Sequence, residues 1–348
     1  MTVAEFLERK ARRSEATRQT YAKAEASFAR CFKVDSPDVI VGRIKGGRLD
    51  AYEALDKFVG TLTANGAAPK TILTYVAAVK GLFRYEEITL DSYKFRAKVE
   101  LPPKTEISID RIPTREEMRT IVLNSDRKTR ALIALLATSG LRIGEAASLR
   151  VGNIDFENCK VTLLSPRTKS RRSRITFISE ETAGFLKEFL GRRIGKKEDW
   201  LFLDERRFNR RAGPDALYMN VYRVLKKLGL KKRLDPDSKR NELHPHSFRK
   251  YFFSKMIGAG VDRGVAERLM GHNYGFDNAY LHMDEDRLRK EYLKAVEDFT
   301  FLTDRKPTRE QEERIQTLEK QVQELRDLRQ MIQAGISQLE IKRAGPSV

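Results

Sequence analysis

The chain has 348 residues, and 68 Lys and Arg against 49 Asp and Glu give a formal net charge of +19. Hydrophobic residues make up 40%, enough for real cores and too many for a disordered chain, and the length predicts two domains. The longest strictly apolar run, Ala131 to Ala137, is far short of the roughly 20 residues of a membrane span, and the first residues show no secretory pattern.

Residues 1–100 read as helical. Ser14 opens a run in which Tyr21, Ala24, Phe28 and Phe32 repeat at helical spacing. A second run opens at Asp50, carries Leu55, Phe58, Val59 and Leu62, and stops at Asn65-Gly66. A third opens with Pro69 in its first turn and carries Ile72, Tyr75, Val76, Val79 and Phe83. Each run has one apolar stripe, which predicts a small helical bundle. Residues 101–113 hold three prolines and no helical period, so they read as an extended linker. Thr114-Arg-Glu-Glu117 then has the form of a capping box opening a second domain, 114–302.

That domain begins with helices, one of them through Arg130–Ser139. Cys159–Leu164 and Ser173–Ile178 are rich in β-formers around a basic turn and read as a hairpin. Helices resume after Ser179 and continue to about Leu302. The predicted fold class is therefore mainly α with a small antiparallel sheet. The tail, 303–348, has a heptad pattern: Ile315, Val322, Arg329 and Ile336 at one seam, and Leu318, Leu325, Ile332 and Leu339 at the other. It predicts either a coiled coil with a second copy or an amphipathic helix folded back on the catalytic domain.

The charge excess predicts a polyanionic partner, DNA or RNA. The runs Glu205–Arg211, Lys226-Lys227 and Lys231–Arg233 offer phosphate-binding faces, or ordinary solvated surface. The two cysteines, Cys31 and Cys159, lie far apart without metal-ligand spacing, which fits a reducing cytoplasm.

Five elements of the second domain occur in one order: Ser139-Gly-Leu-Arg142-Ile-Gly-Glu145, Thr168-Lys169 in the hairpin turn, His246-Ser-Phe-Arg249, Leu269-Met-Gly-His272, and Tyr280 within Ala279-Tyr280-Leu-His282. This set resembles the tyrosine recombinases, which include phage and archaeal integrases and the Xer proteins. The resemblance covers about 114–300 by motif and the N-terminal helices by position only. It implies a two-domain clamp around duplex DNA at a specific target site. It also implies cleavage through a 3′-phosphotyrosyl intermediate, without metal or cofactor. In that reading Arg142 and Arg249 clamp the phosphate, with His272 as a further donor. Lys169 protonates the leaving 5′-oxygen, His246 assists proton transfer, and Tyr280 is the nucleophile. Tyr274 and Tyr292 are the competing tyrosines: Tyr274 lies too close to His272, and Tyr292 sits at a core position of an amphipathic helix. Lys250 follows the box arginine where many members have His.

The resemblance further implies a homotetramer on two duplexes, with Glu291–Phe301 reaching a neighbouring protomer and the tail adding a second contact. The tail favours the integrase of a mobile element. The alternatives are an Xer-like dimer resolvase, a type IB topoisomerase-like enzyme, a DNA-binding protein without catalysis, and an RNA-binding structural protein.

Overall fold

The computed structural model describes residues 2–12, 14–103, 111–164, 173–204, 210–233, 241–272 and 284–303, with 317, 320, 321, 323–325 and 329 of the tail. The chain divides into two compact units, residues 1–108 and 109–348.

Six helices build the first unit among its described residues: α1 (Val3–Ala11), α2 (Glu15–Cys31), α3 (Pro37–Lys45), α4 (Ala51–Ala64), α5 (Pro69–Tyr85) and α6 (Ser92–Lys98). Local chemistry sets most of the starts. Thr2 and Glu5 form a capping box on α1, and Ser36, Asp50 and Asp91 accept first-turn N–H groups of α3, α4 and α6. The apolar stripes meet around Phe28, whose ring packs edge-on to Phe58 at 5.1 Å and Phe83 at 5.9 Å. The three runs read from the sequence are α2, α4 and α5; α1, α3 and α6 are additional. They are short helices of seven to nine residues, too brief to declare a period by themselves. One α2 residue departs from the apolar logic. Glu25 is buried with neither carboxylate oxygen hydrogen-bonded, and burial, with Asp38 behind it, pushes its carboxyl up to about 8.

The second unit is organised around one helix. It contains α7 (Arg115–Leu123), α8 (Arg127–Ser139), α9 (Ile143–Ala147), β1 (Ile154–Asp155), β2 (Lys160–Leu163), β3 (Arg174–Phe177), α10 (Glu180–Leu190), α11 (Pro214–Lys227), α12 (Pro245–Gly258), α13 (Arg263–Met270) and α14 (Glu285–Leu293). The apolar run Ala131–Ala137 lies on α8 and is wholly buried, with α10 and α12 packed against it. A helix that is apolar all round belongs inside a core. The strands form an antiparallel sheet in the order β1-β2-β3, with Val161 opposite Thr176 and Leu163 opposite Arg174. The hairpin is β2–β3, and β1 extends it. Cys159 stands outside β2, in the left-handed turn between β1 and β2 at φ +49°. Asp155 holds that turn by accepting the N–H groups of Glu157 and Asn158. A two-residue strand such as β1 has no alternation to detect.

Glu291–Phe301 packs on its own unit in this structure, not outward. Tyr292, Ala295, Phe299 and Phe301 are buried in the catalytic core. The Glu181 carboxylate accepts the backbone N–H groups of Phe301 at 2.6 Å and Leu302 at 2.8 Å. Arg115 and Arg119 donate to the carbonyls of Thr303 and Leu302. Leu293 is the exposed apolar residue of this segment. Among the described residues no helix is long and apolar enough to cross a membrane.

Candidate active site

Two left-handed glycines aim the site. Gly140 ends α8 at φ +65°, and Gly271 ends α13 at φ +72°. The chain turns sharply after each. Arg142 therefore sits at the N-cap of α9, and His272 directly follows the stop of α13. Both glycines also leave necessary space. A Cβ at Gly140 would lie 2.6 Å from Phe252 Cδ1, and one at Gly271 would lie 2.8 Å from the Arg174 side chain.

Arg249 comes from α12 and is 1% exposed. Its Nη1 donates to the Gly140 carbonyl, and its Nη2 donates to the Met270 carbonyl at 2.9 Å. The arginine thus bridges the backbone of the Arg142 box and the backbone of the His272 box. Its Nε is buried and has no hydrogen-bond partner among the described residues. Burial first, then the neighbouring Arg142 and Arg174, pulls this guanidinium down to about 9 against the attraction of Glu145.

Glu145 is the anion at the centre, 3% exposed. Its carboxylate accepts the Arg142 backbone N–H at 2.9 Å and Arg142 Nη1 at 3.1 Å. Arg174 forks onto both of its oxygens, Nη1 at 3.2 Å and Nη2 at 2.8 Å, and Arg249 Nη1 lies 3.9 Å away. Burial pushes this carboxyl up, but the Arg174 hydrogen bond and charge, with Arg142 behind them, hold it below the usual carboxylate range. Three guanidiniums around one carboxylate leave a net positive cluster, which favours an incoming anion.

His272 is exposed beside this cluster, its backbone N–H bonded to the Glu267 carbonyl. Desolvation, then the Arg249 and Arg142 charges, lowers its imidazole from the ordinary value. His246 is exposed on the first turn of α12, three residues before Arg249 and so on the same helix face. His244, read as a turn residue, is the N-cap of that helix, its Nδ1 3.1 Å from Ser247 Oγ. Tyr292 lies within the core. Its hydroxyl donates to the Thr138 carbonyl at 3.0 Å, and burial raises its phenol well above the ordinary value. Lys169, Tyr274 and Tyr280 lie outside the described residues, as do most of the tail heptads. Arg142, Arg249 and His272 are thus brought together from three separate elements. Among the described residues no group of His, Cys, Asp and Glu is arranged to hold a metal ion.

The sequence places Glu145 in the Arg142 box without a role of its own and does not single out Arg174. Arg174 is one of five basic residues between 167 and 174, and a sequence cannot distinguish a buried cation from a solvated one there.

A mostly helical unit with a three-stranded sheet thus gathers two arginines and a histidine around one buried carboxylate. Residues 113–287, half of the chain, match the phage integrase family, and the chain belongs to that family as a tyrosine recombinase. Among curated proteins it is 28% identical over 254 residues to tyrosine recombinase XerA of Thermococcus kodakarensis, covering 72% of this chain and 83% of that one. It is 30% identical over 231 residues to tyrosine recombinase XerA of Saccharolobus solfataricus, covering 65% of this chain and 68% of that one. Among solved structures, it is similar in fold to XerH site-specific recombinase in a post-cleavage complex with a palindromic difH substrate. That match has a TM-score of 0.52 at 22% identity and covers 78% of each chain. The Tn1549 transposon integrase, solved with transposon right-end DNA, matches with a TM-score of 0.50 at 18% identity, covering 84% of this chain and 99% of that one.

Proposed function

We propose that this recombinase acts at a specific duplex DNA site through Tyr280, and that it is the integrase of a mobile element. The Tyr280 phenolic oxygen forms a bond to the scissile phosphorus while the bond from phosphorus to the 5′-oxygen breaks. The product is a 3′-phosphotyrosyl link and a free 5′-hydroxyl. Lys169 supplies the proton to the leaving oxygen, and His246 assists removal of the phenol proton. A 5′-hydroxyl from a second strand then reverses the step, so no water or nucleotide is consumed. Arg142 and Arg249 hold the non-bridging oxygens as negative charge grows on them, and His272 adds a donor. The helical unit of residues 1–100 adds further DNA contacts.

The observation that carries this reading is the convergence of Arg142 and Arg249, distant in sequence, on Glu145 at 3.1 Å and 3.9 Å. Two guanidiniums held side by side favour the oxygens of one phosphate. The similarity to the two XerA proteins favours a second reading, a resolvase acting on paired copies of one site.

Covalent trapping tests the chemistry. The protein is incubated without metal on nicked site DNA that loses its 5′-hydroxyl strand after cleavage. A denaturation-resistant adduct is expected with the wild type and with Tyr292→Phe, and none with Tyr280→Phe. An adduct surviving Tyr280→Phe transfers the nucleophile to Tyr274. Tight binding with no wild-type adduct overturns the enzymatic reading of the site. Joining of two unlike sites between molecules marks an integrase; exchange confined to like sites in direct repeat marks a resolvase.

A further inference from the structure

Arg174 connects parts of the site that the sequence keeps far apart. It is the first residue of β3 and the last of the basic run 167–174 that includes Lys169. Its side chain is 8% exposed. Its guanidinium forks onto both oxygens of Glu145, the carboxylate that holds Arg142 by backbone and side chain. Its Nε donates to the Leu269 carbonyl at 3.1 Å, within the backbone that presents His272. Arg249 grips the next carbonyl of the same segment, that of Met270. Gly271 gives Arg174 its room, since any Cβ there would meet Cδ, Nε and Cζ at 2.8 Å.

Among the described residues the hydrogen bonds of this side chain all go to the protein itself: one N–H of each Nη to Glu145 and the Nε–H to the Leu269 carbonyl. We infer that Arg174 is a positioning residue of the recombinase site: it sets Glu145, and through Glu145 and the Leu269 carbonyl it fixes the Arg142–Arg249 clamp and His272 relative to each other. This inference rests on the proposed chemistry. Physically it is a preorganisation argument. Arg142 and Arg249 repel each other, and Glu145 offsets that repulsion only while its carboxylate is held in one orientation. A planar fork holds a carboxylate in one plane, whereas an ammonium holds it as a point charge. Loss of the fork lets the clamp relax by a fraction of an ångström, which is enough to slow a reaction whose transition state depends on aligned charge.

The test compares wild type, Arg174→Gln and Arg174→Lys in the trapping assay on two nicked duplexes. One carries the normal scissile phosphodiester. The other carries a neutral methylphosphonate there, which removes the negative charge the clamp must meet. Melting temperature and affinity for uncleaved site DNA are read in parallel. Arg174→Gln is expected to form adduct about tenfold to a hundredfold more slowly on the phosphodiester, at nearly unchanged DNA affinity. On the methylphosphonate its deficit is expected to shrink to about threefold or less, because a misaligned clamp matters less to a neutral centre. Arg174→Lys, keeping the charge without the fork, is expected to fall between wild type and Arg174→Gln.

If Arg174→Gln cleaves at the wild-type rate, or shows the same deficit on both duplexes, the positioning role is overturned. If Arg174→Gln fails to fold, Arg174→Lys carries the comparison, and an equal deficit of that variant on both duplexes overturns the role as well. A wild type without adduct on either duplex sinks the recombinase chemistry itself and this role with it.

Discussion

Single residues here owe their chemistry to burial more than to type. Arg249 and Glu145 are ordinary charged side chains until the core takes them out of water. Each is then held by the other's cluster, and Arg249 Nε is left without a hydrogen-bond partner among the described residues. Glu25, in the other unit, is the opposite case: a buried carboxyl with no cation to keep it ionised. Its folded-state value, about 8, lies above that of an exposed Glu, so its contribution to stability is fully present at low pH. That contribution is lost as pH rises through about 8, where the buried group must ionise. Glu25→Gln is therefore expected to melt like the wild type at pH 5 and higher than it at pH 9. Each kcal/mol recovered corresponds to about 4–8 °C in a unit of this size. Scanning calorimetry of the full chain at the two pH values checks this, and equal shifts at both would show that Glu25 finds a partner in solution.

At the scale of elements, helix ends carry more of the function than helix bodies. The stop of α8 at Gly140 does three things at once: it adopts a left-handed turn, admits the Phe252 ring, and presents a carbonyl to Arg249. Gly140→Ala places a Cβ where the ring already lies and imposes the left-handed penalty on a non-glycine residue. A loss of about 2 kcal/mol or more is expected. Adduct formation is expected to fall further than stability alone explains, because the carbonyl that orients Arg249 moves with the turn. Chemical denaturation beside the trapping assay measures both; a variant that loses stability and cleaves normally would detach Arg249 from this carbonyl. The C-terminal segment shows the same economy. Charged side chains of α7 and α10 hold the backbone of residues 297–303, while Tyr292, Phe299 and Phe301 fill the space beside α12.

For the whole molecule, the charge of +19 governs association with a polyanion, and salt is expected to weaken it steeply. Phe301 to Thr303 close on Glu181, so the role proposed for the tail is the pairing of protomers rather than catalysis. Deleting residues 305–348 is expected to weaken the pairing of two site-bearing duplexes several-fold and to leave trapping on a single site nearly unchanged. Native gels with one and with two labelled duplexes separate the two effects. Equal loss of both would make the tail part of the catalytic fold.

Much of this protein was legible before folding. Helices α2, α4, α5 and α8 announce themselves by apolar spacing, with Asp50 opening α4 and Pro69 in the first turn of α5. The boxes around Arg142, Arg249 and His272 were readable because phosphate chemistry needs those side chains whatever surrounds them. The short pieces α1, α3, α6 and β1 were not, since a few residues do not make a period. Nor was the inward folding of Glu291–Phe301, because an apolar stripe states that a face is buried without naming what buries it. By itself the sequence determined the family and the charge-driven partner class, both of which are local or compositional. Tertiary structure alone decided that Glu145 stands among three guanidiniums, that Arg174 is a buried fork rather than one more solvated cation, and that two glycines make room for Phe252 and Arg174. These depend on contacts between segments about 30 to 110 residues apart, and such contacts exist only once the cores have formed.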